Sequence, residues 1–242
     1  MSAEVAAENA AAGDVTGAAK THIRPRSQYQ TIGPANCSCH EHSDEQQWWN
    51  ADKHSLSADP FFDENSKNVD IARRYGIEPD KMVKGTSLCM DCHGTVVSGR
   101  ERRDADAGVS CESCHGPASA YKEPHGEGDK ALGIDRPGYR KALQLGMVEL
   151  KDAATRAKVC AQCHFITDQR LISSGHPTGQ KFDFVRGNGK IRHWQTVPLA
   201  AETLAQAYRA ELASRGPAPA FENTEPRRQP IVTIDPSSEK IA

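Results

Sequence analysis

The sequence predicts a mainly α-helical fold with extensive irregular loops and extended terminal arms, on three observations. Strand-type alternation is scarce, while short helical runs recur over Asp44 to Ser57, Asn68 to Tyr75 and Ala154 to Ala161, with a stronger one over Leu199 to Ala213. Gly-Pro, Asp-Pro and His-Pro pairs punctuate the chain and mark loops. Apolar residues make up only 37% of the 242 residues and aromatics 6%. Side chains alone therefore offer little from which to build a core for a chain of this size.

Taken in order, residues 1–28 form an Ala/Gly/Glu-rich arm without apolar periodicity. Residues 29–197 hold every cysteine and form the functional domain. Residues 198–242 comprise a helix rich in alanine, leucine and glutamate, stopped by Gly216-Pro217, and then a proline-rich extended tail. Met1 to Lys20 has neither the basic flank nor the apolar stretch of an export signal, so the chain reads as already processed. No apolar run approaches the roughly 18 to 20 residues that span a bilayer. The net charge of -2 argues against a nucleic-acid partner.

The chemistry lies in the cysteines. Three segments follow the pattern Cys-x-x-Cys-His: Cys89 to His93, Cys111 to His115 and Cys160 to His164. This is the attachment pattern of a c-type haem: two thiols add to the two vinyl groups of one porphyrin, and the next residue's imidazole sits beneath the iron. Zinc sites also use paired cysteines, but they do not require a histidine directly after each pair. A fourth segment, Cys37-Ser38-Cys39-His40, has one residue fewer between its thiols. A haem there is held through Cys39 alone, through both cysteines on a strained loop, or not at all. A Cys37 to Cys39 disulfide has poor geometry at that separation.

Four haems c are therefore expected, and they also supply the apolar bulk that the composition lacks. Each iron takes a fifth ligand from His40, His93, His115 or His164. The six remaining histidines, His22, His42, His54, His125, His176 and His193, are enough to supply sixth ligands to most or all of the irons. Met82 and Met147 are alternative axial candidates that read better as packing residues. Trp48 and Trp49 are expected to pack on porphyrin faces. Arg100, Arg102 and Arg103 form either a solvated loop or a propionate-binding cluster.

The stretch Gly108-Val109-Ser110-Cys111-Glu112-Ser113-Cys114-His115-Gly116-Pro117, followed by His125, is similar to the third haem site of the tetrahaem cytochrome c-554 family. The first motif followed by Trp49 and His54 resembles that family's first site and its downstream ligand. The resemblance implies electron transfer, with His54 and His125 as distal ligands. It also implies a high-spin second site without a distal protein ligand, which maps onto the His93 haem. The chain departs from the family in its shortened first motif, its terminal extensions and Ser174-Gly175-His176-Pro177. His176 looks like the Gly-His-Pro ligands of other multihaem cytochromes and is assigned as a distal ligand. His193 is assigned as a further one, with His22 and His42 as competitors.

The expected fold is thus a multihaem cytochrome organised around stacked haems. Only 17 residues separate His93 from Cys111, so those two haems must be near neighbours at about 3.3 to 3.6 Å of reach per residue. The expected function is electron transfer through four closely spaced haems, between redox protein partners or along an assembly. The terminal arms would join copies or partners. The alternative is a haem enzyme acting on a small nitrogen or sulfur species at a five-coordinate iron. Covalent haem attachment places the chain in the periplasm, with the cell exterior as the alternative.

Overall fold

A computed structural model describes residues 27–40, 44–84, 87–97, 108–193 and 198–216. Residues 1–26 with His22, residues 217–242, His42 and the three arginines of the 100–103 loop lie outside the described residues. Among those described, the secondary structure is helical, with no strand. The elements are α1 (Asp44–Ala51), α2 (Lys67–Tyr75), α3 (Met90–His93), α4 (Cys111–His115), α5 (Pro137–Gln144), α6 (Ala153–His164), α7 (Gln169–Ser173), α8 (Phe184–Lys190) and α9 (Ala201–Arg215), joined by 3-10 turns and loops.

Local chemistry accounts for most of the boundaries. Ser66 caps α2 by accepting from the Val69 amide, and Gly76 ends it in the left-handed region. Aspartates 152, 168 and 183 cap α6, α7 and α8 in the same way, and Pro137 opens α5. The run expected over Asp44 to Ser57 breaks instead at Asp52. That residue is extended and caps a separate 3-10 turn, Lys53–Leu56. The helix expected over Leu199 to Ala213 forms two residues later at each end and stops at Gly216.

Apolar packing is divided into small clusters. Helix α2 separates two of them, because Val69 and Ala72 point to one side with Phe61, Met82 and Met90, while Ile71 and Tyr75 point to another with Leu88, Ile166 and Leu171. The largest cluster lies between α6 and α9. Ala153, Ala157 and Ala161 recur every fourth residue along α6 and admit Leu204 and Tyr208 of α9, with Phe184 closing the side. A fourth cluster, around Ala118, Tyr121 and Ala142, underlies the segment after α4. Met82 and Met147 both lie in these clusters and serve as packing residues.

Candidate functional site

A Cys-x-x-Cys-His run wound as helix brings its two thiols, three residues apart, onto one face, with the histidine one residue beyond. The three full motifs do this on α3, on α4 and at the end of α6, and in each the histidine is the last helical residue. The shortened motif differs. It lies on a 3-10 turn, Pro34–His40, that kinks at Cys37 (φ -95°, ψ 30°). The Cys37 thiol turns to Cys111 of the third motif as its hydrogen-bond partner, which lowers the Cys111 thiol to about 7. The side chain of Cys39 lies outside the described residues.

The motif histidines do not stand alone. His40 lies 6.4 Å, ring centre to ring centre, from His125; His54 lies 6.0 Å from His164; His93 lies 6.2 Å from His176; and His115 lies 6.2 Å from His193. Each motif histidine thus faces one other histidine, from a different segment of the chain. His93, where the family resemblance implies an open iron face, has His176 opposite it. His193 stands against His115 and not against His93.

The spacing leaves room for an ion between the rings, although ordinary edge-to-face ring pairs span the same range of about 4.5 to 7 Å. Stacked imidazoles would sit under about 4 Å apart, and rings sharing a direct N–H···N bond about 5 Å apart. A metal ion held between two imidazole nitrogens at about 2.0 Å each, with about 1.15 Å from nitrogen to ring centre, needs about 6.3 Å. All four pairs meet that value. The donor set fits an octahedral iron whose other four positions are porphyrin nitrogens. Among the described residues, no group of three or more His, Cys, Asp or Glu side chains gathers as a zinc site would require.

The four partner rings, His54, His125, His176 and His193, are held from behind. Nδ1 of His54 meets Asp52 Oδ1 at 2.5 Å, that of His125 meets the Lys122 carbonyl, and those of His176 and His193 meet the carbonyls of Pro177 and Ile191, both at 2.8 Å. With the proton on Nδ1, Nε2 is left as the lone-pair nitrogen of each ring. One aromatic ring also lies against one imidazole of every pair. Phe182 stacks on His164 at 3.9 Å and Trp48 on His193 at 4.2 Å, while Phe61 stands edge-on to His93 and Tyr121 edge-on to His125. Trp49 instead donates its indole N–H to the Val109 carbonyl, just before the third motif.

Burial favours the neutral form of three of the motif rings. His93, His115 and His164 are each held down to about 4, first by burial and then by neighbouring imidazoles that would share their charge. For His93 the neighbour is His176; for His115 they are His193 and His40; for His164 they are His54 and His93. His176 is also lowered, mainly by burial. A neutral imidazole is the form that binds a metal.

Backbone contacts draw the motifs together. Thr95, just after the second motif, receives the Ser110 amide at 2.7 Å and lies 2.9 Å from Ser113 Oγ. Cys92 Sγ lies 3.7 Å from the Gln162 carbonyl, which joins the second motif to the fourth. Gly108 (φ +57°) lies tight against the carbonyls of His54 and Ser55, where a side chain would strike backbone. The next amide, of Val109, bonds the His54 carbonyl at 2.8 Å. Glu112, between the thiols of the third motif, is buried and accepts the amides of Ile32, Gly33 and Ala118.

Residues 36–116 match the cytochrome c554 and c-prime family. Over this stretch the chain is similar to c554-type cytochromes, which supports haem c as the cofactor and electron transfer as the class of activity. The match covers the first three motifs; the fourth, on α6, lies beyond it. Comparison with curated proteins and with solved structures gives no match. No described helix is long and apolar enough to cross a membrane.

Sequence reasoning named all eight of these histidines but not their partners. It also missed Asp52, Glu112 and Phe182. Asp52 carries a readable signal as a capping residue two positions before a histidine. Glu112 stands in plain view as a carboxylate inside an attachment motif, whereas nothing near Phe182 in the sequence points to His164.

Proposed function

We propose that this cytochrome binds four haems c, each iron between two histidines, and passes single electrons along them between redox protein partners in the periplasm. The observation that carries this reading is the set of four histidine pairs, all 6.0 to 6.4 Å apart. When bound, each haem supplies a one-electron ferric/ferrous couple. His40 with His125, His93 with His176, His115 with His193 and His54 with His164 hold the irons. Cys89 and Cys92, Cys111 and Cys114, and Cys160 and Cys163 attach three of the porphyrins, and Cys39 attaches the first. Thr95, Ser110, Ser113 and Gln162 lock the motif turns against one another, which fixes the spacing of the sites without any moving part. Two protein ligands per iron leave no position for a substrate, so electron transfer is favoured over catalysis on a small nitrogen or sulfur species.

Intact mass, a haemochrome spectrum and electron paramagnetic resonance of the oxidised protein test the reading together. The expected result is four haems per chain, all low-spin. A persistent high-spin signal from the His93 site would restore the enzymatic reading, and fewer than four haems would remove the continuous path.

A further inference from the structure

The four distal histidines are held through Nδ1 in two chemically different ways. For His125, His176 and His193 the acceptor is a peptide carbonyl, a neutral dipole. For His54 it is the carboxylate of Asp52. The same Oδ1 also takes the His54 backbone amide at 2.9 Å, so one oxygen is fixed by two donors of one residue. The Asp52 side chain is only 13% exposed, so solvent screens it weakly.

An Nδ1–H bonded to a carboxylate gives up more of its proton than one bonded to a carbonyl, and the ring's Nε2 becomes the stronger donor. A stronger, more anionic ligand set favours the ferric state, which carries one more positive charge. Resting on the ligand pairs proposed above, we propose that Asp52 is a positioning residue that lowers the reduction potential of the site shared by His54 and His164. The other three sites, whose distal rings lean on carbonyls, lack this bias. The site of His54 and His164 is thereby made the less favourable of the four places for an electron to rest.

The test is Asp52→Asn in the fully loaded protein, read by spectroelectrochemical titration and by electron paramagnetic resonance. Asparagine keeps an oxygen for the backbone amide but removes the charge. One of the four reduction steps should move to higher potential while three stay, and one low-spin signal should change its g values. His54→Ala assigns that step, since it should convert one haem to high spin. If His54→Ala leaves every haem low-spin, the ligand assignment itself fails. If it produces the high-spin haem but Asp52→Asn moves no step, or moves all four alike, the role given to Asp52 is overturned and the ligand reading stands. Asp52→Glu, which restores the charge, should return the step toward its original position if the variant's shift came from charge.

Discussion

The first and fourth haem motifs are held by opposite means. His164 ends a twelve-residue helix, α6, whose alanine stripe is sealed by α9, with Phe182 stacked on the imidazole and a continuous apolar cluster beneath. His40 ends a kinked 3-10 turn. The chain just before that turn is tied down by polar contacts, with the amides of Ile32 and Gly33 on the Glu112 carboxylate. The energies are of the same order: about 1.5 to 3 kcal/mol for each large apolar side chain buried, and about 1.5 to 3 for each hydrogen bond to a charged group. What differs is dependence. Apolar packing between α6 and α9 joins neighbouring helices, whereas the Glu112 contacts join the segment before the first motif to the third motif, some 80 residues along the chain, and exist only once both are in place.

The largest expected effect follows from that dependence. In chain produced without haem attachment, α6, α8 and α9 should keep slowed amide exchange, while residues 27–62 exchange freely. The difference should reach roughly a thousandfold in protection, or about 4 kcal/mol of local stability. Hydrogen exchange read by mass spectrometry checks this, and equal protection in the two regions would erase the contrast.

Glu112→Gln should come next, costing about 3 to 5 kcal/mol in the denaturant midpoint of the loaded protein, because it sets a donor amide against backbone N–H groups that the carboxylate now satisfies. The loss should appear at the first and third sites and leave α6 unaffected. Ala157→Leu is the matching change at the other end. It overfills a fully buried position in the cluster between α6 and α9 and should cost about 1 to 3 kcal/mol in thermal unfolding, with the first site untouched. If either variant spreads its effect evenly over all four haems, the two regions are one cooperative unit.

The same contrast explains what the sequence made legible. The fourth motif could be read with its helix because Asp152, the alanine repeat and Cys-x-x-Cys-His all obey local periodicity. Helices α5, α7 and α8 were not read, although Pro137, Asp168 and Asp183 mark their starts. They are short, and α8 contains Gly187 and Gly189, so packing rather than propensity maintains them. Histidine pairing was illegible for a deeper reason. His54 is bracketed by its own cap and turn, yet its partner is His164, far along the chain, and no local rule reaches that distance.

The smallest expected effect concerns Cys37. In helical turns, thiols three residues apart share a face, but thiols two apart point about 200° from each other at 3.6 residues per turn. The kink at Cys37 directs its thiol to Cys111, a partner belonging to another motif. Attachment of the first haem through Cys39 alone leaves Cys37 as the one unmodified thiol among eight cysteines. Alkylation of the denatured, reduced holoprotein should therefore add a single label, and Cys37→Ser should abolish it while keeping four haems and nearly unchanged stability. No label on the parent protein would mean that both thiols of the short loop are bonded, and the first motif would then resemble the fourth in attachment while differing from it in support. Cys160→Ser supplies the control, since breaking a full motif should weaken haem retention at a site where α6 itself remains folded.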